Sequence, residues 1–185
     1  MKVFTKGGPE NTREACEIAL AKAKELGCGI VCATTTGETA RTMTNMAEEA
    51  GFGGKLVFVT HTYGSRKPGE NPMPEEVRSE LTTRGVSFVT ATHLLSGAER
   101  GLSKRHQGVY PVEIMADTLR LICAGAKVCV ECASMALDSG AIPYGTPIVA
   151  VGGTGRGADT VVVMTPGHGN DILSTRIHEF LCKPY

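Results

Sequence analysis

Two apolar rhythms alternate along the chain, one repeating at helical spacing and one forming short, nearly unbroken β-rich runs. From Thr12 to Leu26 the positions Ala15, Ile18, Ala19, Ala23 and Leu26 fall on one helical face. Asn11 stands where an N-cap would, with Glu14 three residues on, and Gly27 follows as a stop. The next run, Gly29–Ala33, has strand length and little polarity, which predicts a strand buried on both faces. A second helix is expected over Glu38–Ala50, with Ala40, Met43, Met46, Ala47 and Ala50 inward and Gly51 ending it. A strand over Leu56–Thr60 follows. A third helix starts near Pro74, with Glu75 and Glu76 in its first turn, and stops at Gly85.

The same reading places a strand at Val86–Thr90, a polar connection over Ser96–Gly108 and a helix from near Pro111 carrying Met115, Leu119 and Ile122. It then gives a strand at Lys127–Glu131, a short helix to Gly140, strands at Ile148–Val151 and Thr160–Met164, and a closing helix over Asn170–Leu181. Helices alternating with short buried strands predict a single α/β domain over residues 1–185, a three-layer α/β/α sandwich on a mainly parallel sheet. The link before Thr160–Met164 is too short for a crossover, so this last strand is expected antiparallel to Ile148–Val151.

Composition narrows the function classes. The chain has 185 residues, room for a substantial core. Lys plus Arg and Asp plus Glu both number 19, so net charge gives no general attraction to nucleic acid or an anionic membrane. With no Trp and few aromatics there is no base-stacking surface to read. No stretch approaches the roughly 20 apolar residues that cross a bilayer. The opening Met1–Thr5 lacks the apolar run of a signal peptide, and seven scattered cysteines suit reduced thiols, so a cytoplasmic setting is expected.

In a parallel sheet, ligands bind beyond the C-terminal strand ends. Those ends read Thr34, Thr35, Thr36, Gly37, Glu38, Thr39; then His61, Thr62 and Gly64; then Thr92 and His93; then Gly152, Gly153, Arg156, Gly157, Ala158 and Asp159. The first set is the sharpest. Free N–H groups at a helix start, joined by several hydroxyl donors, hold a phosphate, and Gly37 lets backbone come close. One of these threonines could instead simply cap the helix, but a cap needs one hydroxyl rather than four. The Gly-Lys-Ser/Thr element of a Walker loop is missing. His61 and His93 end neighbouring strands and are read as ligand contacts. Gly152–Asp159 is either a glycine-rich hairpin or a wall of the site. Cys129-Val130-Glu131-Cys132 is a CxxC pair read as packing, since no second ligand pair completes a metal site; a carboxylate at Glu131 must be paired, for the site or for an internal salt bridge. No catalytic acid–base couple and no metal ligand are assigned.

The run Ala33-Thr34-Thr35-Thr36-Gly37-Glu38-Thr39-Ala40-Arg41 resembles the phosphate loop of the pyruvate kinase C-terminal domain, which holds a phosphate of a sugar-bisphosphate activator. On that resemblance Thr34, Thr35, Thr36 and Thr39 are the hydroxyl donors. Over nearly the whole chain, the runs Gly69-Glu70-Asn71 with Met73-Pro74, Leu95-Ser96-Gly97, Val128–Glu131, Asp138–Pro143 and Arg156–Thr160 resemble a stand-alone prokaryotic family with this domain fold. The catalytic barrel has no counterpart here, so pyruvate kinase activity is not expected. The resemblance implies bound FMN, a possible flavin-dependent oxidoreductase and, by analogy, a homo-oligomer. A regulatory sensor of a phosphorylated metabolite is the alternative. The partner is in either case a small phosphorylated ligand.

Overall fold

The computed structural model describes residues 1–185. Its elements, in chain order, are β1 (Lys2–Phe4), α1 (Thr12–Leu26), β2 (Ile30–Ala33), α2 (Glu38–Glu49), β3 (Leu56–Thr60), α3 (Glu75–Thr83), β4 (Ser87–Thr90), α4 (Gly97–His106), α5 (Pro111–Arg120), α6 (Ala124–Asp138), β5 (Ile148–Gly152), β6 (Thr160–Thr165) and β7 (Arg176–Pro184). Short 3-10 turns cover Pro9–Asn11 and Gly169–Ser174. The seven strands form one sheet in the order β1-β7-β6-β5-β2-β3-β4. Only β6 runs against the others: it is antiparallel to β5 and β7, while β2 pairs parallel with β3 and β5, β3 with β4, and β1 with β7.

Strand alternation divides the apolar residues between two cores. Ile30, Cys32, Phe58, Val149 and Val151 face α1, α2 and α3, where they meet Ala15, Ala19, Met43, Val77 and Leu81. Val31, Val57, Val59, Ile148 and Ala150 face α6, meeting Cys129, Ala133, Ala136 and Leu137. Both faces of the central strands are therefore covered, as a parallel sheet requires, and the three-layer sandwich is the observed architecture. No helix is long and apolar enough to cross a membrane.

Five parts differ from the sequence reading, the first being β1, Lys2–Phe4, where no element is expected. Lys127–Glu131 is the second turn of α6, which is buried along nearly its whole length from Gly125 to Leu137. A helix apolar on every side has no amphipathic stripe, so its β-branched start imitates a strand. Ser96–Gly108 is not an open connection: it contains α4, which buries no residue and so carries no apolar rhythm to read. Asn170–Leu181 is no helix; a 3-10 turn leads into β7. There Leu173, Ile177, Phe180 and Leu181 imitate helical spacing. Register shifts between Val161 and Val162 and between Val163 and Met164 also break the ladder that β7 forms with β6. Thr160–Thr165 is thus antiparallel as expected without being the last strand. Finally, Asn11 makes no side-chain cap bond; it closes the Pro9–Asn11 turn, donating through Nδ2 to the carbonyls of Lys6 and Gly8.

Candidate functional site

The sheet changes direction of growth between β2 and β5. From β2 the chain moves outward through α2 to β3 and β4, then returns through α6 to place β5 on the other side of β2. A crevice opens beyond the carboxyl ends of strands at such a point. Here it is a cleft of about 630 Å³, lined by the Thr34–Thr36 turn, Glu38, Thr39, His61, Arg66, His93, Arg120, Lys127, Glu131, Gly153 and Arg156, with Ala33, Val59, Val128 and Cys132 among its apolar lining. That volume lies in the range of about 300–1,000 Å³ usual for small-molecule sites.

Two helix N-termini open onto the cleft, through Glu38 of α2 and Ala124 of α6, and each brings unbonded N–H groups and the positive end of a dipole. At α2 the chain enters through Gly37 in the left-handed region, φ 95°, and a Cβ there would lie 2.4 Å from Val77 Cγ1. Glycine at this position is therefore a requirement of the turn and of its packing on α3. Thr34, 6% exposed, lines the cleft with a buried hydroxyl that has no hydrogen-bond partner. At α6, a Cβ on Gly125 would lie 2.0 Å from Thr160 Oγ1, and one on Gly152 would lie 2.6 Å from the Gly125 carbonyl oxygen. The two glycines press the start of α6 onto β5 and β6.

The floor is ionic. Lys127 and Glu131, one turn apart on α6, form a buried ion pair. Glu131 Oε1 also accepts the Leu95 N–H at 2.8 Å, and its Oε2 lies 3.6 Å from His93 Nδ1. The other ring nitrogen of His93 sits 3.4 Å from the Thr60 carbonyl oxygen. The His61 ring stacks obliquely on His93, centroids 4.8 Å apart. Burial, followed by the His93 ring and the Arg66 guanidinium, pushes His61 below its ordinary pKa of 6.5; the Glu131 carboxylate opposes this and Lys127 adds to it. The His61 carbonyl accepts from Asn71 Nδ2 at 2.7 Å, tying the loop that carries Arg66 to the end of β3. At the mouth, exposed Arg156 reaches to 3.6 Å from Glu38.

Of the residues singled out in the sequence, Thr34, Thr35, Thr36, Glu38, Thr39, His61, His93, Gly153, Arg156 and Gly157 line this cleft. Gly37 sits behind the turn. Thr62 and Gly64 continue into the loop after β3, and Thr92 is exposed beside α4, its Cγ2 3.1 Å from where a Gly97 Cβ would stand. Gly152 serves helix packing, as described. Ala158 and Asp159 belong to the scaffold: the Ala158 N–H donates to Thr12 Oγ1, and the fully buried Asp159 accepts from the N–H groups of Gly8 and Thr154 and from the Thr160 hydroxyl. The sequence does not single out Arg66, Arg120 or Lys127 for the site, and it leaves Glu131 between the site and an internal salt bridge; the structure gives it both places. The Lys127–Glu131 spacing of four, inside an apolar run, was the available sign that this segment is helical and that its charges are paired.

Cys129 and Cys132 share α6 with this network and are buried thiols. Burial drives both well above the ordinary cysteine range, which suits packing rather than redox exchange. Residues 13–164 match the family model described as pyruvate kinase, alpha/beta domain.

Proposed function

The chain belongs to the pyruvate kinase alpha/beta domain family, and from that premise we propose that its cleft holds the phosphate of a small organic ligand. The buried, unpartnered Thr34 hydroxyl carries the proposal. A hydroxyl out of water without a partner is destabilising. It is tolerated where a ligand oxygen completes it, and it sits here among Thr35, Thr36 and the free N–H groups of the α2 start.

FMN is the first ligand to test, because the resemblance of the sequence to the stand-alone family implies it. The Thr34–Thr39 turn fits its phosphate, and the cleft volume and the glycine backbone at Gly153 and Gly155 leave room for a planar ring. Bound FMN would supply electron and hydride transfer; the chain's residues would grip the phosphate and present His61 and His93 from the floor. A second reading, a phosphorylated metabolite, is favoured by a different observation: four cationic side chains, Arg66, Arg120, Lys127 and Arg156, outnumber the two carboxylates Glu38 and Glu131 in the cleft, which has no aromatic wall beyond the two histidine rings. It would serve either a sensor or an enzyme.

An absorption spectrum of the freshly purified protein, with mass spectrometry of what heat releases, separates the two. Flavin bands and the mass of FMN support the first. A colourless protein that does not take up added FMN but binds phosphate esters supports the second. Thr34→Val should leave the unfolding midpoint unchanged or raise it while weakening phosphate binding by about tenfold, the worth of one hydrogen bond to a charged group. Unchanged affinity would remove the turn from the site.

A further inference from the structure

We propose that the cleft floor is a proton-transfer centre, in which His61 is the acid–base residue acting on a small phosphorylated aldehyde or ketone. This rests on the phosphate grip proposed above and takes its metabolite branch rather than the flavin one.

Such a centre needs a base and a fixed positive charge in one cleft, and residues of both kinds line this one. His61 lines the cleft and is backed by the His93 ring rather than by a hydrogen-bonding partner of its own. The charged and titratable groups that face it are His93 from the loop after β4, Arg66 from the loop after β3, and Lys127 and Glu131 from α6. Together with burial their balance keeps His61 neutral near pH 7, with a lone pair free to take a proton. Lys127, paired with Glu131, lines the same cleft beside the N–H groups of the α6 start, so positive charge and N–H donors stand on the wall that an oxyanion would face. Glu131 holds Lys127 and sits against His93; Glu131 and His93 are positioning residues, while Lys127 faces the oxyanion.

The step balances without a co-reactant. A ring nitrogen of His61 takes the proton from a carbon next to the ligand's carbonyl. The electron pair of the broken C–H bond moves onto the carbonyl oxygen, giving an enolate opposite Lys127. The imidazolium then returns a proton to the same carbon, or to its neighbour after the oxygens exchange a proton, which isomerises the sugar phosphate.

The test uses the full chain in D2O with ketose monophosphates of three to six carbons. Proton NMR follows loss of the C–H signal, and phosphorus NMR follows binding in the same tube. The expected result is exchange that His61→Gln lowers by roughly 10²–10⁴-fold while the phosphorus shift on binding persists. The rate should rise with pH through a midpoint below 6.5, and Glu131→Gln should move that midpoint lower still, because the carboxylate raises His61. Binding without exchange, or equal exchange in His61→Gln, overturns this inference and leaves the phosphate grip intact. Tightly held FMN that the sugar phosphates do not displace does the same. Failure of any phosphate ester to bind overturns both.

Discussion

Lys127→Met isolates a carboxylate that has almost no access to water: the Glu131 side chain is 2% exposed and that of Lys127 7%. Removing one member of a buried pair typically costs about 3–5 kcal/mol, because the other charge stays behind uncompensated. Glu131 would keep the Leu95 N–H at 2.8 Å and His93 Nδ1 at 3.6 Å, which places the expected loss at the lower end, about 3 kcal/mol. For a chain of this length that is a fall in Tm of roughly 6–12 °C. Adding Glu131→Gln in the same chain removes the stranded charge and keeps an oxygen for Leu95, so the double variant should recover to within about 1 kcal/mol of the parent. Urea unfolding followed by circular dichroism on the parent, both single variants and the double closes the cycle. A loss below about 1 kcal/mol in Lys127→Met, or a double variant no better than it, would mean that the pair is solvated and that the floor of the cleft is not the dry ionic layer described here.

Gly37→Ala should destabilise by about 1–3 kcal/mol, since φ 95° strains any side chain; Val77→Ala in the same chain should relieve the 2.4 Å clash but leave the backbone strain, which a urea titration of both single variants and the double would show. Stability should depend on His61 with a defined sign. Its folded pKa lies below 6.5, so the unfolded chain binds the proton first; the contribution is steady above pH 6.5 and declines as pH falls through the folded value, and His61→Gln should flatten that part of a Tm-against-pH curve. Native thiol labelling at neutral pH should be fast only at Cys28 and Cys123, the two that are not buried, and slow at Cys16 and Cys182, which burial pushes up to about 12; urea should release all seven, and fast native labelling of Cys129 or Cys132 would contradict the packing of α6.

The parts of the fold legible from sequence are those where one face is wet and the other dry. The α1 and α2 boundaries follow from apolar spacing and from glycines, Gly27 being left-handed at the end of α1 with φ 61°. The parallel strands β2 and β3 are short apolar runs with polar ends, so sequence alone places the threonine turn at a strand-to-helix junction. What sequence could not supply was the second wall of the cleft. α6 has no wet face, so Lys127, Val128 and Glu131 read as a strand and their place beside His93 was hidden. Asp159 is the opposite case: an acidic residue in a glycine-rich turn reads as a ligand contact, and in the fold its oxygens accept from the N–H groups of Gly8 and Thr154 and from the Thr160 hydroxyl. Those donors lie up to 151 positions away along the chain, a separation at which local pattern carries no information.

The strand order also sets a timetable for synthesis. β2, β3 and β4 can pair as soon as about 90 residues have left the ribosome, with the threonine turn already at the end of β2. β2, a central strand in the finished sheet, must wait with one bare edge for β5, whose Val149 pairs with Ile30. β1 waits longer still, since its Lys2 pairs with Cys182. At the usual pace of about 5–20 residues per second, the nascent half-sheet spends several seconds with an open apolar edge, the interval in which a chaperone or another nascent chain can engage it. The two banks of the cleft are made at opposite ends of that interval, so a ligand that spans them would favour completion of the sheet as well as occupy it.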